Sequence, residues 1–371
     1  MEILNGWADK CWIAFKRIVF IVFFIVCNKA FSIPADSLAK YRLGALPSAF
    51  YTPETRLGFG ALIYTHFKIK STDSLLRKSN TQSYISYTIN KQFAFENDYQ
   101  VWLKRNQLFL AGAADFSRLP EFFYGIGNET KEGDRLIVSF DLIRVHTKSL
   151  MRIWNNIYGG VLFHYQNLHK QDIKLMSNSS GTNVYGNMGY KAIGIGPVFI
   201  MDNRNNPLNP SKGSYLEASY VDFKHILRNE NRFTSLTFDM RKYHTFFKKL
   251  IWNGNAYFSF NKGEVPYRML PEIGGARFLR GYYRGRFRDN NLIVLQQEFR
   301  MPIYKAFGAA IFGGLGSVAK KLSEFKNNKA HFNYGVGLRI RINKKEDTNI
   351  RIDYGFTRDS RGLYVVFAEA F

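Results

Sequence analysis

The strongest constraint on this chain is a hydrophobic period of two that recurs almost to its last residue. In Phe233–Arg241, Leu236, Phe238 and Met240 fall on one face of an extended chain, and Ser235, Thr237, Asp239 and Arg241 on the other. Val336, Leu338, Ile340 and Ile342 oppose Gly337, Arg339, Arg341 and Asn343. Ile350, Ile352, Tyr354 and Phe356 oppose Arg351, Asp353 and Gly355, so two neighbouring strands present arginines to one shared face. A soluble sandwich would bury the apolar face and wet the other. Here the runs reach about nine to twelve residues, beyond the roughly five or six of most sandwich strands, and match the length a tilted strand needs to cross a bilayer. No helical segment interrupts them. The fold class that follows is all-β, a transmembrane antiparallel barrel of about 16 strands.

Fifteen strands can be placed, at 57–69, 80–90, 92–103, 107–117, 134–146, 152–166, 188–201, 213–224, 231–243, 251–261, 290–301, 305–318, 331–343, 348–357 and 361–371. A single-chain bacterial barrel has an even number. Either Tyr41–Tyr51 supplies a further strand or the 80–117 stretch divides differently. Short polar turns at Asn343–Thr348 and Asn203–Gly213 contrast with longer connections at Ser117–Asp134, His169–Asn187 and Ala319–Ala330, the usual asymmetry between the two rims. With no repeat or linker, residues 33–371 read as one barrel domain.

Residues 1–32 read as a signal peptide: Lys16-Arg17, the apolar run Ile18–Val26, then Ala30-Phe31-Ser32 as a small-x-small cleavage site. Both cysteines, Cys11 and Cys27, fall within it, which leaves the mature chain without disulfides or thiolate metal sites. The formal charge is +23, nearly all of it beyond residue 32. The basic residues are spread along the chain, with no Cys/His finger and no aromatic-basic RNA-binding strand. The excess therefore points to a positive lumen and to anionic lipid headgroups, with no nucleic acid as partner. A mean hydropathy of −0.24 suits a barrel in which every second strand residue faces lipid.

One connection stands out. Pro271-Glu272-Ile273-Gly274-Gly275-Ala276-Arg277-Phe278-Leu279-Arg280-Gly281-Tyr282 lies between the alternating runs Asn255–Asn261 and Leu292–Arg300. A structured loop this long usually has a job. Gly281 permits a tight turn that aims the Arg280 guanidinium inward, where it needs a carboxylate. Ile293, Leu295 and Phe299 mark the lipid face of the following strand, so Gln296, Glu298 and Arg300 enter the lumen and Glu298 is the candidate partner.

Three further stretches join this loop: Asp202-Asn203-Arg204 through Pro210-Ser211-Lys212-Gly213, Gln297-Glu298-Phe299-Arg300-Met301-Pro302, and Arg351-Ile352-Asp353-Tyr354-Gly355 running to Phe371. Together with Tyr124-Gly125-Ile126-Gly127-Asn128 they resemble the BamA/TamA-like outer-membrane barrels, the bacterial surface antigen family. The resemblance implies that Arg280, Gly281, Tyr282 and Glu298 form a lock between the loop and the lumen. It implies that Asp202, Arg204, Pro210 and Gly213 form the family's turn, although Asn-Pro and Ser-Lys-Gly are also ordinary turn chemistry. Phe371 corresponds to the terminal aromatic read by the barrel-assembly machinery. The chain departs from the pattern at Phe312–Val318, where glycine replaces a second aspartate, so Arg280 is expected to have one acidic partner.

The implied function is assembly, insertion or translocation of protein or lipid at the outer membrane of a Gram-negative bacterium, without catalysis. A passive pore or scaffold is the alternative, and a lipid-modifying barrel enzyme a distant third. Outer-membrane lipids are expected partners. About two dozen residues separate the cleavage site from the first strand, too few for a POTRA module, so the chain is expected either to work with a separate periplasmic POTRA or chaperone partner or to have lost the client-handling step. No cofactor or metal is expected, because the seven histidines do not fall at ligand spacing on a common face. His164 is the one imaginable catalytic base, and no serine pairs with it by sequence.

Overall fold

The computed structural model describes residues 42–52, 56–69, 76–175, 184–225, 232–247, 249–343 and 348–371; residues 1–32, expected to be a signal peptide, lie outside them together with both cysteines. The strands are β1 (Arg42–Thr52), β2 (Arg56–Phe67), β3 (Ser79–Thr88), β4 (Phe93–Leu103), β5 (Leu108–Phe123), β6 (Leu136–Trp154), β7 (Ile157–Leu175), β8 (Tyr190–Asp202) and β9 (Gly213–His225). They continue as β10 (Arg232–Phe246), β11 (Leu250–Gly263), β12 (Glu272–Ile273), β13 (Phe287–Arg288), β14 (Asn291–Tyr304), β15 (Phe307–Ala319), β16 (His331–Asn343), β17 (Thr348–Phe356) and β18 (Arg361–Phe367). Sixteen form one antiparallel sheet in strict sequence order, while β12 and β13 make a small ribbon inside the loop between β11 and β14.

The sheet is a transmembrane barrel wall. Leu295, Ile311, Val336 and Leu338 are exposed on its outer face, while their neighbours Gln296, Glu298, Phe312 and Arg339 are buried inside. Trp154, Phe247, Tyr304 and Phe307 lie at or beside strand ends on one rim and are exposed, as expected of an aromatic girdle. That rim carries two- to four-residue turns at 104–107, 155–156 and 305–306, while the opposite rim carries 124–135, 264–290 and 320–330. β1 and β18 are the ends of the sheet, and among the described residues no ladder joins them. Tyr64 of β2 nevertheless stacks on Phe367 of β18, with ring centroids 4.9 Å apart, so the two ends lie side by side.

The sixteenth strand is β1, the Tyr41–Tyr51 candidate. Four strands need the larger corrections, and of these β7 begins at Ile157, not 152, and runs to Leu175, not 166. β5 runs to Phe123, not 117: Pro120 is accommodated opposite Ser139, beside a bulge in the pairing of β6 with β7. β6 continues to Trp154, because the polar run His146–Ser149 is strand and the turn is Asn155-Asn156, with Asn155 at φ 39°. β18 ends at Phe367, not 371, and Ala368 at φ 63° turns the tail inward.

Candidate functional site in the barrel lumen

The loop 264–290 enters from the long-loop rim and packs along the inside of β14 and β15. Ile273, Leu279, Tyr282 and Phe287 bury themselves against Leu292, Val294 and Val318, so the loop carries its own apolar core. Its backbone is also tied down. Leu279 N–H donates to Gln296 Oε1 at 3.0 Å, and Asn333 Nδ2 donates to the Arg280 carbonyl at 2.8 Å.

The tip turns at Gly281, φ 119°, where an added Cβ would meet the Gly355 and Phe356 carbonyl carbons at 3.1 Å. Gly355 on β17 is the complementary gap, since a Cβ there would overlap the Arg280 carbonyl. Two glycines thus let loop and wall backbones touch. Tyr364 Oη accepts from Gly281 N–H at 3.0 Å and donates to the Tyr282 carbonyl at 3.1 Å, which fixes the tip against β18.

This geometry places the Arg280 guanidinium in a site that is 1% exposed. Its Nη2 lies 2.8 Å from Glu298 Oε2, its Nη1 bonds Asp353 Oδ2, and the Phe312 ring sits 3.5 Å from Cζ. The expectation of one acidic partner is therefore corrected. The second acid comes not from β15, where Phe312 faces the guanidinium, but from β17.

The pair belongs to a larger array. Arg339 reaches Glu298 at 3.1 Å, Asp353 at 2.6 Å and Glu369 at 2.8 Å. Arg351 bonds Asp353 and donates to the Ala276 carbonyl at 3.0 Å. Arg300 lies 3.1 Å from Glu369 and 2.8 Å from Asn209 Oδ1, and also bonds the Pro210 carbonyl. Four arginines thus surround three carboxylates, every side chain being at most 5% exposed. Burying ions is costly unless partners saturate them, and here nearly every oxygen is bonded to an arginine.

The array draws together stretches far apart in the chain. The β8–β9 turn contributes Asn209 and Pro210, and the tail contributes Glu369, whose N–H donates to the Leu208 carbonyl at 3.2 Å. Within the turn, Asp202 holds Arg204 through both carboxylate oxygens, at 2.9 and 3.0 Å, and Arg204 stacks over Tyr215. Gly213 leaves the turn at φ 103°, and Phe371 is buried after β18. Alternation already aims Arg300, Arg339, Arg351 and Asp353 at the lumen. No sequence signal points to Glu369, because its position depends on the tail leaving the strand.

A second cluster nearer the long-loop rim anchors the rest of the loop. Glu272 meets Arg284 at 2.9 Å and Arg288 at 3.2 Å, and Arg268 meets Glu121 of β5 at 2.9 Å. Burial raises the Glu272 pKa, but Arg288, Arg284 and Arg268 outweigh it and hold the carboxyl down at about 2. His164 faces the lumen from β7; among the described residues its Nε2 has no hydrogen-bond partner, serine included.

A β-barrel whose lumen is occupied by a long loop, pinned at an arginine between two acidic strands, is the class of protein this geometry defines. Residues 54–363 match the Omp85 superfamily domain, and the chain belongs to that superfamily. Its fold is similar to that of BamA from Haemophilus ducreyi lacking POTRA domains 1–3, with a TM-score of 0.55 and 11% identity, covering 89% of this chain and 70% of that one. CdiB from Acinetobacter baumannii gives a TM-score of 0.54 at 11% identity, covering 86% of this chain and 56% of that one. CdiB from Escherichia coli gives 0.54 at 10% identity, covering 87% and 61%. No curated protein matches the chain.

Proposed function

We propose that this barrel sits in the outer membrane and promotes the insertion or translocation of protein, with the docked loop as its working part. The observation that supports this most is Arg280, buried in the lumen between Glu298 and Asp353. A passive channel has no need of seven buried charges to hold one loop. Superfamily membership and the likeness to BamA and CdiB folds lead the same way.

The test is reconstitution. Liposomes carrying the barrel are given an unfolded outer-membrane client, and client protease protection is followed with wild type, Arg280→Ala and Glu298→Ala. Loss in both variants, with the barrel itself still folded, supports the role. The alternative of a passive pore draws on Glu96 and Asp98, which are exposed on the lumen side of β4. It predicts steady conductance in planar bilayers and no effect of the barrel on the client.

A further inference from the structure

Between the inserted loop and the wall formed by β6, β7 and β9–β11 lies a cavity of about 270 Å³. Its charged lining is uneven: Arg144 from the wall and Arg268 and Arg284 from the loop, against Glu272 alone. Glu272 is already engaged by Arg284 and Arg288, and Arg144 is engaged by Asp115 at 2.6 Å. Two shielded nitrogens are left over. Arg268 uses Nη1 on Glu121 at 2.9 Å and on Glu272 at 3.7 Å, while its Nε is shielded from solvent and has no hydrogen-bond partner among the described residues. His164 Nε2, on the opposite side of the same cavity, is likewise shielded and unpartnered. Hydroxyls such as Ser235 complete the wall.

Buried donors without acceptors destabilise a structure unless something supplies the acceptors. An arginine edge, a serine hydroxyl and an imidazole that donates from Nε2 in one of its tautomers line a cavity with more arginines than carboxylates, and together suit a ligand that carries several acceptor oxygens and negative charge. We propose that this chamber binds an oxyanion of the phosphate class, held between Arg268 on the loop and His164 on β7. Bound there, the anion is a clamp: it adds a contact between the loop and the wall remote from Arg280. The phosphate can come from the free ion or from a lipid headgroup, and the chemistry of capture is the same.

The experiment titrates inorganic phosphate, and separately glycerol 3-phosphate, into the folded full-length barrel in detergent. Chloride is the reference at matched ionic strength, and calorimetry and trypsin cleavage within 264–290 are the readouts. Saturable binding that slows cleavage supports the site; tighter binding of glycerol 3-phosphate assigns a headgroup, and tighter binding of inorganic phosphate the free ion. Arg268→Met and His164→Leu should each weaken binding at least tenfold, the second leaving the ion pairs of Arg268 with Glu121 and of Arg284 with Glu272 intact. Arg277→Met, on the same loop but outside the cavity, should bind normally. No saturable heat, or equal weakening by Arg277→Met and Arg268→Met, would overturn the proposal, because the anion would then be answering only the general charge of the lumen.

Discussion

Removing Glu298 should harm the barrel more than removing Arg280, and removing both should be milder than removing Glu298 alone. The buried array has four arginines and three carboxylates. Arg280→Ala leaves three of each. Glu298→Ala leaves four guanidinium groups against two carboxylates in a space closed to water. Losing one member of a buried, hydrogen-bonded pair costs about 3–5 kcal/mol, and Glu298 meets Arg280 at 2.8 Å and Arg339 at 3.1 Å, so its loss belongs at the top of that range. Arg280→Ala gives up two charged hydrogen bonds and the Phe312 contact but leaves a neutral array, so its cost belongs at the bottom of that range, about 3 kcal/mol. The double variant restores the original excess of one positive charge. Urea unfolding of the purified barrel in detergent, followed by tryptophan fluorescence, reads these costs, and trypsin cleavage at 277–286 reads loop release. Additive losses in the double variant, or a larger loss from Arg280→Ala than from Glu298→Ala, would refute the charge-balance reasoning.

Gly355→Ala should release the loop tip as Arg280→Ala does, because its methyl group would occupy the position of the Arg280 carbonyl; trypsin access at 277–286 measures it. Cysteine placed at Leu338 should react with a lipid-soluble maleimide and not with a charged one, whereas Met240 and Leu295 should behave alike and Asn333 should not; the reverse pattern would put the register one residue out. Glu272 has a folded pKa of about 2, below its ordinary 4.5, so its contribution is complete above 4.5 and is lost as pH falls toward 2. Loop protection from an acid-active protease should therefore be flat between pH 8 and pH 5 and weaken below about pH 4.5.

Alternation made the wall legible because each lumen residue is flanked by lipid-facing neighbours, and the lipid side tolerates few charges. It placed Glu298, Arg300, Arg339, Arg351 and Asp353 inside before any contact was known. Strand ends were less legible. The strand placed at 107–117 continues past Pro120 to Phe123, and the gap left between 134–146 and 152–166 is strand as far as Trp154, with the turn at 155–156. Which carboxylates meet Arg280 depends on how deep the loop descends, and that depth is set by the contact between Gly281 and Gly355. Local pattern contains no such information: the only place it offers for a second acid is the adjacent β15, two strands short of Asp353.

The most direct test of a loop docked in the lumen is a photo-crosslinker built into position 282. The Tyr282 ring lies 5.9 Å from the His331 ring, and its carbonyl bonds Tyr364. Illumination of the folded barrel in native membranes should give an intramolecular adduct, mapped by mass spectrometry to peptides containing His331 or Tyr364, that disappears in the Glu298→Ala background. Adducts confined to external protein or lipid, with none to β16 or β18, would place the tip outside the lumen and contradict the account.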